Sequence, residues 1–163
     1  MTTVPHALHQ ALSPALGRSL VAVAIAAGLL TGASLSTAPP AQAAVSSTAG
    51  LKVVRAAATR EGVPYRYGGT TTRGFDCSGY SKWAYARIGK HLPRTSQAQY
   101  RAAAHIRTSQ RRPGDLVFFL SGSHVYHLGI YAGHGRMWHS PRSGQRVRLA
   151  KIWTSTVRYG RVR

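Results

Sequence analysis

The spacing of apolar residues changes character at Pro113-Gly114, and that change constrains the fold more than any other feature of the chain. Upstream, apolar side chains recur at helical intervals. Leu51, Val54 and Ala58 share one face of a helix predicted over Leu51 to Glu61, which Gly62 and Pro64 stop. Cys77 to Ile88 carries Tyr80, Trp83, Ala84 and Ile88 at the same period and ends at Gly89. Ser96 to Ala104 predicts a third helix, capped by Thr95 or Ser96. Downstream the pattern is that of strands, predicted at Leu116 to Leu120, His127 to Ala132, Arg136 to His139, Arg146 to Leu149 and Thr156 to Val162. In the fourth of these, Val147 and Leu149 alternate with Arg146 and Arg148, as in a strand with one wet face. Helices first and strands afterwards imply an α+β fold, with helices packed on an antiparallel β-sheet.

The first 43 residues stand apart from this block. One arginine and no acid precede an unbroken apolar run, Leu20 to Leu30, and small residues lead to Ala41-Gln42-Ala43. This is the pattern of a secretory signal peptide, with cleavage expected after Ala43. The run is shorter than the roughly 20 residues a membrane-spanning helix requires. An uncleaved anchor is the other reading, and both export the remainder of the chain. Residues 44–50 consist of Ser, Thr, Ala, Val and Gly and read as a short linker, leaving residues 51–163 as one domain. Extracellular or cell-wall localisation is therefore expected.

Charge is lopsided: 22 Lys plus Arg face 3 Asp plus Glu, for a formal +19 over 163 residues. Loss of residues 1–43 removes only Arg18 and leaves +18. The basic residues are scattered, so they are either a solvated surface or a means of attracting a polyanion. Outside the membrane that partner would be an anionic cell-wall polymer or lipid headgroups rather than nucleic acid, with a strength that depends on salt. Three acids also make a paired-carboxylate hydrolase an unpromising reading.

The lone Cys77 cannot form an internal disulfide, and structural zinc sites commonly use roughly two to four cysteines. The thiol is either buried filling or a nucleophile. Its place at a helix start favours the second reading, because unpaired N–H groups and the helix dipole lower a thiol pKa there. The small and polar neighbours Gly74, Asp76, Ser78 and Gly79 allow a substrate backbone to come close. A nucleophilic cysteine needs a base. His127 opens the apolar strand His127-Leu128-Gly129-Ile130-Tyr131-Ala132 and is rigidly placed, so it is the candidate base. His139 ends the next strand across a turn at Gly133 to Gly135, from where it can orient His127. Each histidine taken singly also fits an ordinary hydrogen-bonded side chain. His124 and His127 form a His-x-x-His pair, but without an adjacent Glu and with few carboxylates this is a weak metal signal, and no metal is expected. Asp115 reads as a turn residue, and Asp76 as a helix cap, a ligand for a cationic substrate group, or both.

Five segments then succeed one another in order: Pro64-Tyr65-Arg66-Tyr67-Gly68-Gly69, Phe75-Asp76-Cys77-Ser78-Gly79, Leu92-Pro93-Arg94-Thr95-Ser96, Pro113-Gly114-Asp115-Leu116-Val117-Phe118-Phe119 and His127-Leu128-Gly129-Ile130-Tyr131, joined by Met137-Trp138-His139-Ser140-Pro141. Over nearly all of Leu51 to Arg163 the chain closely resembles the NlpC/p60 family of cell-wall cysteine peptidases. The resemblance implies a papain-like α+β fold and hydrolysis of peptidoglycan stem peptides, commonly between D-glutamate and a diamino acid. It implies Cys77 as nucleophile, His127 as base and His139 as the third polar residue. Tyr65, Asp76 and Ser78 match positions lining the substrate site, Asp76 and Ser78 suited to an amine and Tyr65 to the oxyanion side. No cofactor is implied, and a monomer is expected. The sequence departs from the commoner pattern at Tyr67, where the family often has Trp, and at His124 and Tyr126, which crowd the base. Two other functions share the scaffold: a non-catalytic cationic wall-binding protein, and an amidase cutting the bond between glycan and peptide.

Overall fold

Most of the predicted elements form where local patterning places them, and the differences have identifiable causes. The structure, a computed structural model, describes residues 45–163; the predicted signal segment, residues 1–43, lies outside them. The elements run α1 (Ser47–Ala58), β1 (Thr70–Thr71), β2 (Gly74–Phe75), α2 (Cys77–Ala86), α3 (Ser96–Ala102), β3 (Ala104–Ile106), a 3-10 turn (Thr108–Gln110), β4 (Leu116–Ser121), β5 (His124–Gly133), β6 (Arg136–His139), β7 (Arg148–Lys151) and β8 (Val157–Arg161). No helix among the described residues is long and apolar enough to cross a membrane.

Helix α1 starts four residues before Leu51, because Ser46 Oγ accepts the Ala49 N–H at 3.2 Å and caps the first turn. Val45 is buried, and its N–H donates to the Val162 carbonyl at 3.0 Å. Residues 45–50, expected as linker, are therefore part of the folded body. Strand β7 starts two residues later than predicted. The groups that Val147 would give to a ladder are engaged elsewhere: its N–H donates to Val63 O at 2.8 Å, and its carbonyl accepts the Gly62 N–H at 2.9 Å. The β1-β2 hairpin and β3 are too short for any periodicity to announce.

Six strands form one antiparallel sheet in the order β3-β8-β4-β5-β6-β7. The helices cover one face. There, Leu116 and Phe118 of β4, Leu128 and Ile130 of β5 and Trp138 of β6 meet Val53, Ala57, Tyr80, Ala84 and Tyr85. The opposite face buries a smaller cluster of Val117, Phe119, Tyr131, Met137, Val157 and Tyr159. Both faces of β4 are thus buried, which explains its continuous apolar run Leu116 to Leu120. This is the α+β, papain-like arrangement that the sequence predicts.

Two buried tyrosines satisfy their hydroxyls on backbone: Tyr80 donates to Ala57 O at 2.9 Å and Tyr85 to Gly114 O. Gln99 of α3, 1% exposed, donates to Ser78 O and Pro93 O, both at 2.9 Å, and accepts from Ser81 Oγ at 2.7 Å. Its amide is therefore a tie between α3 and the first turn of α2. Close backbone approach fixes that turn from its other side. A Cβ on Gly79 would lie 2.0 Å from Gly69 O, a backbone atom that cannot swing away. Gly79→Ala is expected to cost at least about 2 kcal/mol through overpacking, read as a lower urea midpoint with an unchanged slope.

Candidate active site

The geometry around Cys77 begins with Asp76. Its carboxylate caps α2, Oδ1 accepting the Gly79 N–H at 2.7 Å and the Ser78 hydroxyl at 3.2 Å. Oδ2 accepts the Gly68 N–H at 3.0 Å, which ties the glycine loop to the helix. Arg94 then donates to both oxygens, forming an ion pair, and its Nη1 also reaches Ser78 Oγ at 2.9 Å. Burial pushes the Asp76 pKa up, but the Arg94 and Gly79 hydrogen bonds, the Arg94 charge and the Ser78 hydroxyl hold it below the ordinary carboxylate value. With every acceptor direction engaged, Asp76 can take a substrate amine only in exchange for one of these partners.

Cys77 is the first residue of α2 and is half-buried. The β5-β6 ladder runs from Ile130–Trp138 toward the hairpin and stops short of Leu128, so β5 has a free edge there. The Leu128 N–H lies near enough to the Cys77 sulfur to favour its thiolate, which puts the thiol beside the residue that follows His127. The helix start does not lower the thiol pKa on balance, contrary to expectation. Burial raises it, the adjacent Asp76 charge raises it further, and the N–H groups of Leu128, Ser78 and Cys77 only partly offset them. Tyr65 lines the same cavity, and its phenol is pushed up by burial and then by the neighbouring Cys77 and Asp76.

His127 and His139 form a pair, with Nε2 of the first 2.8 Å from Nδ1 of the second. One proton must lie between them. If His127 donates it, His127 Nδ1 keeps a lone pair and His139 carries its own proton on Nε2. That Nε2 has no hydrogen-bond partner among the described residues, so this tautomer leaves a buried N–H unsatisfied. Burial lowers the His127 pKa to about 4. It also lowers that of His139, helped by the charges of His127 and Arg148, to about 3. At neutral pH both rings are uncharged, His127 can accept a proton, and His139 can accept the hydrogen bond of the resulting imidazolium. Phe119 of β4 and Trp153 of the β7-β8 loop stack at 4.1 Å and stand beside the His127 ring, each 5.7 Å from it.

A family model described as NlpC/P60 family matches residues 62–161. The chain belongs to the NlpC/p60 family. A protein of Corynebacterium glutamicum named probable endopeptidase is 45% identical over 111 residues, 68% of this chain and 52% of that protein. The bifunctional muramidase/DL-endopeptidase CwlT of Bacillus subtilis is 45% identical over 96 residues, 56% of this chain and 29% of that protein. The chain thus spans about half the length of the first of these relatives and less of the second. Among solved structures, the NlpC/p60 domain of the peptidoglycan hydrolase SagA superposes with a TM-score of 0.63 at 31% identity, over 68% of this chain and 96% of that domain.

Within this NlpC/p60 domain, the sequence-derived candidates fall around two cavities. Tyr65, Asp76, Cys77 and Ser78 line one of about 450 Å³; His127 and His139 line another of about 410 Å³; Tyr126 borders both. His124 lines the first, and among the described residues no three His, Cys, Asp or Glu side chains are grouped to hold a metal. Two further residues at these cavities have roles that the sequence does not reveal. Arg94 lies in one of the motifs, yet its bond to Asp76 spans 18 positions and has no local signature. Trp153 lies outside every predicted strand and reaches the site only through the β7-β8 loop.

Proposed function

We propose that this protein is an exported peptidoglycan hydrolase, an endopeptidase that cleaves stem-peptide amide bonds through Cys77, His127 and His139, with the D-glutamyl-diamino acid bond as its target. The observation carrying this reading is the juxtaposition of the Cys77 thiol with the Leu128 N–H, next to a neutral His127 held by His139. Family membership and the printed activities of the relatives, endopeptidase and peptidoglycan hydrolase, support the substrate class. The apolar run Leu20 to Leu30 and the small residues before Ala44 support export.

Because burial disfavours both a free thiolate and a free imidazolium, the resting pair is thiol and imidazole. His127 takes the thiol proton as sulfur attacks the scissile carbonyl, and the resulting imidazolium donates to His139 Nδ1. Gly79 N–H is occupied by Asp76, so the first-turn N–H groups left for the developing oxyanion are those of Cys77 and Ser78, with Tyr65 on the same cavity wall. The imidazolium then protonates the leaving amine. Water, deprotonated by the same ring, attacks the thioester carbonyl, and its proton passes through His127 back to sulfur. The test is digestion of purified peptidoglycan with protein recovered from culture medium, its first residue expected to be Ala44. Mass spectrometry should find stem fragments with a new amine on the diamino acid; fragments cut at the glycan-peptide bond, or none, would reject the assignment.

A further inference from the structure

The second cavity has a chemistry that the catalytic residues do not use. Beyond Tyr126 and the His127-His139 pair, its wall is made by Pro141, Arg142, Gln145, Arg148 and Trp153. Arg148 is the cross-strand partner of His139, so the two side chains share one face of the sheet. Its Nη2 donates to Gln145 Oε1 at 3.3 Å. Neither arginine has an acidic partner: Asp76 pairs with Arg94, Asp115 with Arg161, and Glu61 forms no ion pair among the described residues. Two guanidinium groups therefore face a cavity with no counter-charge from the chain. One of them lies beside a ring that must help His127 carry a proton, where a bare cation is unfavourable. Trp153 is 53% exposed yet stacks flat against Phe119, which gives the cavity an aromatic wall.

The proposed chemistry says which half of a substrate meets this cavity. His127 delivers its proton to the leaving nitrogen, so the leaving half extends from Cys77 toward the His127 side, and the acyl half occupies the cavity of Tyr65 and Ser78. We infer that Arg148 and Arg142 bind a free carboxylate on the leaving half of the substrate, with Trp153 packing against its aliphatic part. This rests on the proposed endopeptidase reading and specifies its substrate. A carboxylate there also neutralises the Arg148 charge beside His139 when His127 becomes protonated, so its benefit extends to the transition state.

The experiment compares two synthetic peptides with the same acyl half, whose leaving halves end in a free carboxylate or in a carboxamide. The wild type is expected to favour the carboxylate in kcat/KM by about 10- to 100-fold, the value of a charge-assisted contact. In Arg148→Gln the ratio should fall toward one, and Arg148→Lys should restore part of it. A wild type that cleaves peptidoglycan but treats the two peptides alike would overturn the inference and leave the endopeptidase reading intact. An Arg148→Gln variant that loses activity toward both peptides in equal proportion would likewise overturn it. Failure of the wild type to cleave peptidoglycan and both peptides would overturn both conclusions.

Discussion

Replacing Cys77 by alanine is expected to lower release of fragments from purified peptidoglycan by at least about 10³-fold, because in the proposed mechanism Cys77 is the group that forms the acyl intermediate. The substitution removes one sulfur from a half-buried position and leaves the Asp76 cap, the Arg94 ion pair and the Gln99 bridge intact. The fold should therefore survive, with a urea midpoint close to that of the wild type. Loss of activity together with loss of the folding transition would mean that the thiol is structural. Fragment release at the wild-type rate would mean that a different residue attacks. The variant should also resist iodoacetamide, which in the wild type has one thiol to modify.

Substitution His127→Asn should lower activity by at least about 10²-fold, since it deletes the proposed proton acceptor while keeping a polar side chain beside His139. The same ring sets how the wild type depends on pH. Burial places the His127 pKa at about 4, so activity should persist at pH 5 and fail as acid protonates the ring near that value. The upper limb should lie above the ordinary thiol range, because burial and Asp76 raise the Cys77 pKa. A limb near pH 6.5 would show that the ring is solvated rather than buried. Stability follows the same sign. A histidine whose folded pKa is depressed contributes stability fully present above its unfolded value and lost as pH falls through the folded one. For His127 that window runs from 6.5 down to about 4, and the share is on the order of 3 kcal/mol. His139 extends it to about 3. Urea midpoints measured across this range should fall with acid in the wild type and less steeply in His127→Asn.

Legibility in the sequence divides by the range of the interactions involved. Helix α2 begins at Cys77 because Asp76 is a cap three residues from the N–H it accepts, and β6 spans Arg136–His139 because a Gly-His-Gly turn starts it. The start of α1 is hidden although Ser46 carries the same kind of cap, since Ala, Ser, Thr and Gly offer little apolar periodicity to mark a helix. The sign of the Cys77 shift eludes a local reading for a different reason. A helix start is visible locally, whereas the burial that raises the pKa exists only in the folded chain, and the partly compensating Leu128 N–H comes from a strand some fifty positions away. Arg94, Gln99 and Trp153 acquire their roles through contacts of that same distant kind.

Periodicity, caps and the order of its motifs let the sequence by itself determine the α+β class, most of the elements and the identities of the nucleophile and base candidates, because those depend on neighbours within one or two turns of chain. Tertiary structure alone decided that β5 frees an edge for the thiol, that His139 lies within hydrogen-bonding distance of His127, that both rings are neutral, and that two unpaired arginines face the adjoining cavity. Each of these depends on solvent exclusion or on meetings between distant segments, and the physical reason is common to all: dielectric environment and cross-strand register exist only once the whole sheet has closed against its helices.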